Sequence, residues 1–137
     1  MHKVILIIFI LTYTIFNNVN SIENKILFKI DNDIITSIDI LRESNYLKSI
    51  NENLNKLEND EIFEIAKNSL IREKIKKIKL LTFIGEIKVD EEYLDNAIKN
   101  IYSRKKFNNK EEFKDYLSSK NIKYSYLLNK LSINALW

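Results

Sequence analysis

The stretch Ile26 to Ile40, ILFKIDNDIITSIDI, decides how the rest of the chain is read. From Phe28 apolar and polar residues alternate, Phe28-Lys29-Ile30-Asp31, the spacing of a strand with one buried face. Asp31 and Asn32 tolerate the left-handed backbone that a tight turn demands, so Asp31-Asn32-Asp33 is expected to close a β-hairpin. Thr36 then offers an N-cap oxygen and Asp39 stands three residues on, while Ile35 and Ile40 sit where a hydrophobic staple would place them. A helix is expected to start here. Because a lone two-stranded hairpin is marginal in water, other elements must cover it.

Those elements read as helices. The helix after Thr36 is expected to run to about Leu47, and KSINENLNKLEND, polar and rich in Asn, reads as a loop or a frayed helix end. From Asn59 or Asp60, apolar residues at Phe63, Ala66, Leu70, Ile71, Ile75, Ile78 and Leu81 step by threes and fours. Gly85 should end that helix. Asp90 caps the next, with Val89 and Leu94 as staple and Leu94, Ala97, Ile98 and Ile101 as stripe. Asn109 with Glu112 resembles a capping box before Phe113, Tyr116 and Leu117. A last pattern, Ile122 to Trp137, carries Tyr124, Leu127, Leu128, Leu131 and Ala135, and it is still running at Trp137, so the natural domain is expected to continue. The fold class is thus mainly α: a short N-terminal β-hairpin followed by about five amphipathic helices.

Ahead of the hairpin, MHKVILIIFILTYTIFNNVNS places a basic residue before an apolar run from Val4 to Phe16 and a polar close. This is the layout of a secretory signal peptide over residues 1–21, with a mature start at Ile22. The run is shorter than the roughly 20 residues that a membrane-crossing helix needs, so cleavage is expected, with no stable membrane insertion afterwards. The remaining 22–137 form one domain. The chain has no cysteine, so an exported domain would depend on its core alone.

Composition narrows the chemistry. The only histidine is His2, and without Cys the mature chain has no imidazole or thiol for hydrolytic triads, cysteine chemistry or His- and Cys-based zinc sites. The single glycine excludes a glycine-rich phosphate loop. Asp31-Asn32-Asp33 imitates the opening of a calcium loop, but Ile35 occupies the fifth position and no glycine the sixth, so the turn reading stands. Net charge is +3, and the basic runs KIKKIK and SRKK are interleaved with acids, which does not build the clustered basic face of a nucleic-acid binder. No catalytic residue, metal or cofactor is expected. Most aromatic residues recur at helical spacing and should be core; Tyr46 and Tyr126 are the candidates for an apolar groove that takes an extended peptide.

In order along the chain, four segments carry a resemblance: ILFKIDNDIITSIDI, EIFEIAKNSLIREKIKKIKLL, IKVDEEYLDNAIKNI and KEEFKDYLSSKNIKYSYLLNKL. Together they resemble the N-terminal domain of SurA-type periplasmic chaperones, a family that includes parvulin-type peptidyl-prolyl isomerases. The resemblance covers about residues 24 to 137. Asn121 stands where the family usually has Gly, a position that Asn fills because it tolerates the left-handed conformation after a helix. The parvulin module and the C-terminal segment that completes the family's core are not in this sequence, so isomerase activity is not carried over. The resemblance implies a periplasmic, ATP-independent holdase that binds unfolded outer-membrane proteins or other exported polypeptides. It also implies that the strand edge at Ile26–Ile30 is left open to self-association. Two alternatives are the non-catalytic N-terminal part of a longer parvulin-type isomerase, and an exported helical adaptor or nucleic-acid binder using the Lys74 to Lys79 face.

Overall fold

A computed structural model describes residues 24–137. The signal peptide expected at 1–21 lies outside the described residues. The architecture is mainly helical, with an N-terminal antiparallel hairpin and five α-helices. Strands β1 (Ile26–Ile30) and β2 (Asp33–Thr36) are followed by α1 (Ser37–Ile50), a 3-10 turn at Glu52–Lys56, and α2 (Asn59–Ile84). Then come α3 (Glu91–Arg104), α4 (Lys110–Ser119) and α5 (Tyr124–Leu136).

The hairpin closes as the turn chemistry predicts. Ile30 pairs with Asp33, Lys29 with Ile34 and Phe28 with Ile35, and the register slips between Phe28 and Ile26. Asp31 takes the left-handed backbone with φ of 53°. At the start of α1 the Asp39 amide donates to Thr36 Oγ1 at 3.3 Å, and the Thr36 amide donates back to Asp39 Oδ2 at 2.9 Å. This reciprocal pair satisfies donors that a helix start leaves open. α1 continues three residues past the expected Leu47, and part of the segment read as a loop winds into the 3-10 turn, where Asn51 Oδ1 accepts from the Asn53 amide.

In α2 the buried stripe differs from the one read from the sequence. Ile62, Ala66, Leu70 and Leu80 are buried, whereas Phe63, Ile75 and Leu81 are exposed. An α-helix of this length is apolar on several sides, so periodicity alone admits more than one stripe; the neighbours choose between them. Gly85, with φ of 74°, ends the helix as expected, and its amide bonds to the Leu81 carbonyl at 3.0 Å. Asp90 caps α3 by accepting from the Tyr93 amide at 3.0 Å. At α4 the Glu112 amide donates to Asn109 Oδ1 at 2.8 Å, but the Glu112 carboxylate accepts from the Asn108 amide, so the return bond is one residue off the expected box. Asn121 adopts the left-handed conformation, φ 58°, that its place after α4 requires.

Two apolar clusters result. One is made of Ile35 and Ile40 with Ala66 and Leu70, so the inner face of the hairpin and α1 close on α2. The other joins Ile98 and Ile101 of α3, Phe113 and Leu117 of α4, Ile122 in the turn, and Leu127 of α5. Tyr46 and Ile50 at the end of α1 pack against this second cluster. Full burial of a side chain such as Phe113 stabilises by about 1.5–3 kcal/mol. The two clusters meet where α5 crosses α1 and α2, and that junction is polar.

Candidate functional site

The junction is built on two residues that stand in apolar register but carry charge. Glu43 follows Ile40 by three positions and precedes Leu47 by four; Lys130 lies three from both Leu127 and Ile133. Helical geometry therefore turns both inward. Glu43 is fully buried and Lys130 is only 4 % exposed. Taking either charge out of water without a partner would cost several kcal/mol, and the fold supplies partners from three helices.

Glu43 Oε1 accepts from Ser69 Oγ of α2 at 2.6 Å. Its Oε2 accepts from the Tyr126 hydroxyl of α5 at 2.5 Å and from Lys130 Nζ at 2.8 Å. The same ammonium pairs with Glu73 of α2. Tyr46 and Tyr126 pack edge to face with centroids 5.7 Å apart and planes at 78°, and Lys130 Nζ lies 5.1 Å from each ring centre. Arg42 covers the Tyr126 ring at 6.0 Å. An ammonium over aromatic faces gains from the ring quadrupole, more so away from water.

The electrostatics follow from this packing. Burial raises the Tyr46 hydroxyl well above the usual phenol range, and the negative charges of Glu43 and Glu73 add to it. Burial is also the main cause for Tyr126, with Glu43 opposing ionisation both by charge and as acceptor of its proton. Both phenols therefore stay neutral.

Tyr46 and Tyr126, the two residues singled out as peptide-contact candidates, are thus brought together, each only partly open to solvent. Tyr46 reaches the wall of a cavity of about 290 Å³, shared with Leu47, Arg72, Lys76 and Asn134. Tyr126 is engaged with Glu43 and is not part of that wall. The arrangement holds α1, α2 and α5 in register; the charges of Glu43 and Lys130 are used by each other. Glu43, Ser69, Glu73 and Lys130 were not singled out from the sequence. The available signal was a lone charge interrupting an apolar helical stripe.

The Lys74 to Lys79 face is partly committed. Lys74 pairs with Asp33 of the hairpin at 3.0 Å and Lys76 donates to Asn134 of α5 at the same distance. A larger cavity of about 470 Å³ lies between the end of α1 and the end of α3, with Arg104 and Lys106 on its rim; Lys105 there is closed by Glu52 at 2.9 Å. That bond is the main cause holding the Glu52 carboxyl below its ordinary range. Among the described residues no helix is long and apolar enough to cross a membrane. No family model, curated protein or solved structure matches the chain.

Proposed function

We propose that this chain is a periplasmic chaperone-type domain of the SurA N-terminal kind, an ATP-independent holdase for unfolded outer-membrane proteins or other exported polypeptides. The observation that supports this reading most is the apolar surface left in water beside a well-formed core. Ile26 and Ile34 of the hairpin are 65 % and 45 % exposed, and Phe63, Ile65 and Ile75 stand out along α2. Single exposed apolar residues are ordinary; a series spread over one hairpin and one long helix offers weak, reversible contact to many apolar segments. Reversible binding of an unfolded chain competes with its aggregation and needs no covalent step. The test is light scattering of an outer-membrane protein diluted from urea, with the chain at stoichiometric amounts. Slower aggregation is expected, and an unchanged time course would sink the reading.

A further inference from the structure

The cavity of about 290 Å³ between α1, α2 and α5 is lined by polar groups whose hydrogen bonds are unevenly used. Its carboxylates are taken up by the fold. Glu43 accepts from Ser69, Tyr126 and Lys130, and Glu73 pairs with Lys130 through Oε2, which leaves Glu73 Oε1 as the carboxylate oxygen there without a partner among the described residues. The donors are mostly unused. Arg72 has five N–H donors and no partner among the described residues, and the Tyr46 hydroxyl makes no hydrogen bond to any of them. Lys76 gives one of its three donors to Asn134 Oδ1 at 3.0 Å, and the NH2 group of Asn134 stays open among the described residues.

Charge points the same way. The cavity holds three cations, Arg72, Lys76 and Lys130, against two acids, Glu43 and Glu73, a balance of +1. α5 adds no acid, and Asp33 of the hairpin is engaged by Lys74. Arg72 and Lys76 stand one turn apart on α2, a spacing at which like charges repel, and no carboxylate among the described residues closes either of them. Beside them Tyr46 and Leu47 supply an apolar wall.

We propose that this cavity binds a small carboxylic acid, with its carboxylate on Arg72 and Lys76 and a short apolar body against Tyr46 and Leu47. Size and charge select this class. Ligand pockets run from about 300 to 1,000 Å³, so a space at the lower limit takes a small molecule and not a stretch of polypeptide. A balance of +1 matches one carboxylate, whereas a phosphate group of about −1.5 to −2 would bring excess negative charge beside Glu73. The planar guanidinium fork of Arg72 fits the two oxygens of a carboxylate. A cationic ligand would meet three cations and a single open carboxylate oxygen. Water satisfies the donors but leaves Arg72 and Lys76 unneutralised. This binding is independent of the holdase reading.

The test is equilibrium dialysis of the full chain against 3-phenylpropionate, with its primary amide as the uncharged twin. The acid should bind saturably, and the amide about tenfold more weakly or less. R72Q and K76Q should each weaken binding of the acid about tenfold, the lower end for losing a hydrogen bond between charged groups, and Y46F about threefold. K99Q, which removes a lysine of α3 outside the cavity, should bind as the parent does. Circular dichroism checks that each variant is folded, and K76Q reads the same pair of cations if R72Q is not. No saturable binding up to about 10 mM, equal binding of the amide, equal or tighter binding of inorganic phosphate, or parental affinity in R72Q/K76Q would each overturn the proposal. So would tighter binding of a peptide carrying the same phenyl group at a free C-terminus, which would assign the two cations to chain ends.

Discussion

Replacing Lys130 by methionine isolates what the buried junction contributes. Methionine keeps much of the volume and removes the ammonium. Glu43, fully buried, is left beside Glu73 with only Ser69 and Tyr126 donating to it. Breaking a buried pair by removing one partner typically costs about 3–5 kcal/mol. The two surviving donors and the partial exposure of Glu73, whose side chain keeps 18 % of its surface, place K130M at the lower end, about 3 kcal/mol. With a urea dependence of about 1.5 kcal/mol per molar, the unfolding midpoint should fall by about 2 M. Circular dichroism at 222 nm and Trp137 fluorescence both report the transition, and their coincidence checks that it is two-state. E43Q alone should also destabilise, but E43Q/K130M should cost less than the sum of the two by about 2 kcal/mol, since E43Q removes the buried charge that K130M leaves without a cation. A loss under about 1 kcal/mol for K130M, or strict additivity in the cycle, would refute the account of the junction as a coupled unit.

Other predictions follow from backbone and titration. G85A meets no steric obstacle, since nothing lies within 4 Å of an added Cβ, so its cost is that of the positive φ, about 1–3 kcal/mol by urea titration. N121A should lose about 1 kcal/mol, because alanine lacks the polar side chain that eases the left-handed conformation, whereas N121G should be close to the parent in the same assay. Tyr46 and Tyr126 both have raised pKa values in the folded chain. Their neutral forms are favoured by folding, so this part of the stability is complete below the unfolded phenol value of about 10 and is lost as pH rises beyond it. Absorbance at 295 nm should show these two ionising only together with the loss of helical dichroism; early, independent ionisation would contradict their burial.

The local signals in the sequence were sufficient for the elements and insufficient for their faces. Thr36 with Asp39, Asp90, Asn109, Gly85 and Asn121 each act at helix ends through backbone groups within a few residues, so their roles are legible without knowledge of the neighbours. The buried stripe of α2 was less legible, because Phe63 and Ile62, or Leu81 and Leu80, are adjacent apolar residues and only the positions of α1, α5 and the hairpin decide which goes inside. The polar junction was the hardest to see. Glu43 and Glu73 lie 87 and 57 positions from Lys130, and no local rule links residues so far apart. Tyr46 and Tyr126 were picked out as contact area for a peptide in an apolar groove, whereas the polar end of Tyr126 is engaged with the buried Glu43.

The two exposed apolar regions differ in how the fold treats them. At the hairpin, β1 has five residues, Lys29 stands exposed on it, and the register is interrupted between Ile26 and Phe28. A short strand, a lysine and an irregularity are the features by which edge strands are kept from pairing with other chains, so these details argue against the self-association expected at Ile26–Ile30. The end of α2 has charge of both signs beside it: Asp31 and Asp33 of the hairpin turn share a depression with Lys77, Ile78 and Leu81, and Asp33 pairs with Lys74. Within the helix the lysines precede Leu81, Phe83 and Ile84, and Glu86 follows the helix end. The hairpin turn thus serves both regions: it ends the strand pairing and sets its carboxylates against the lysines of α2.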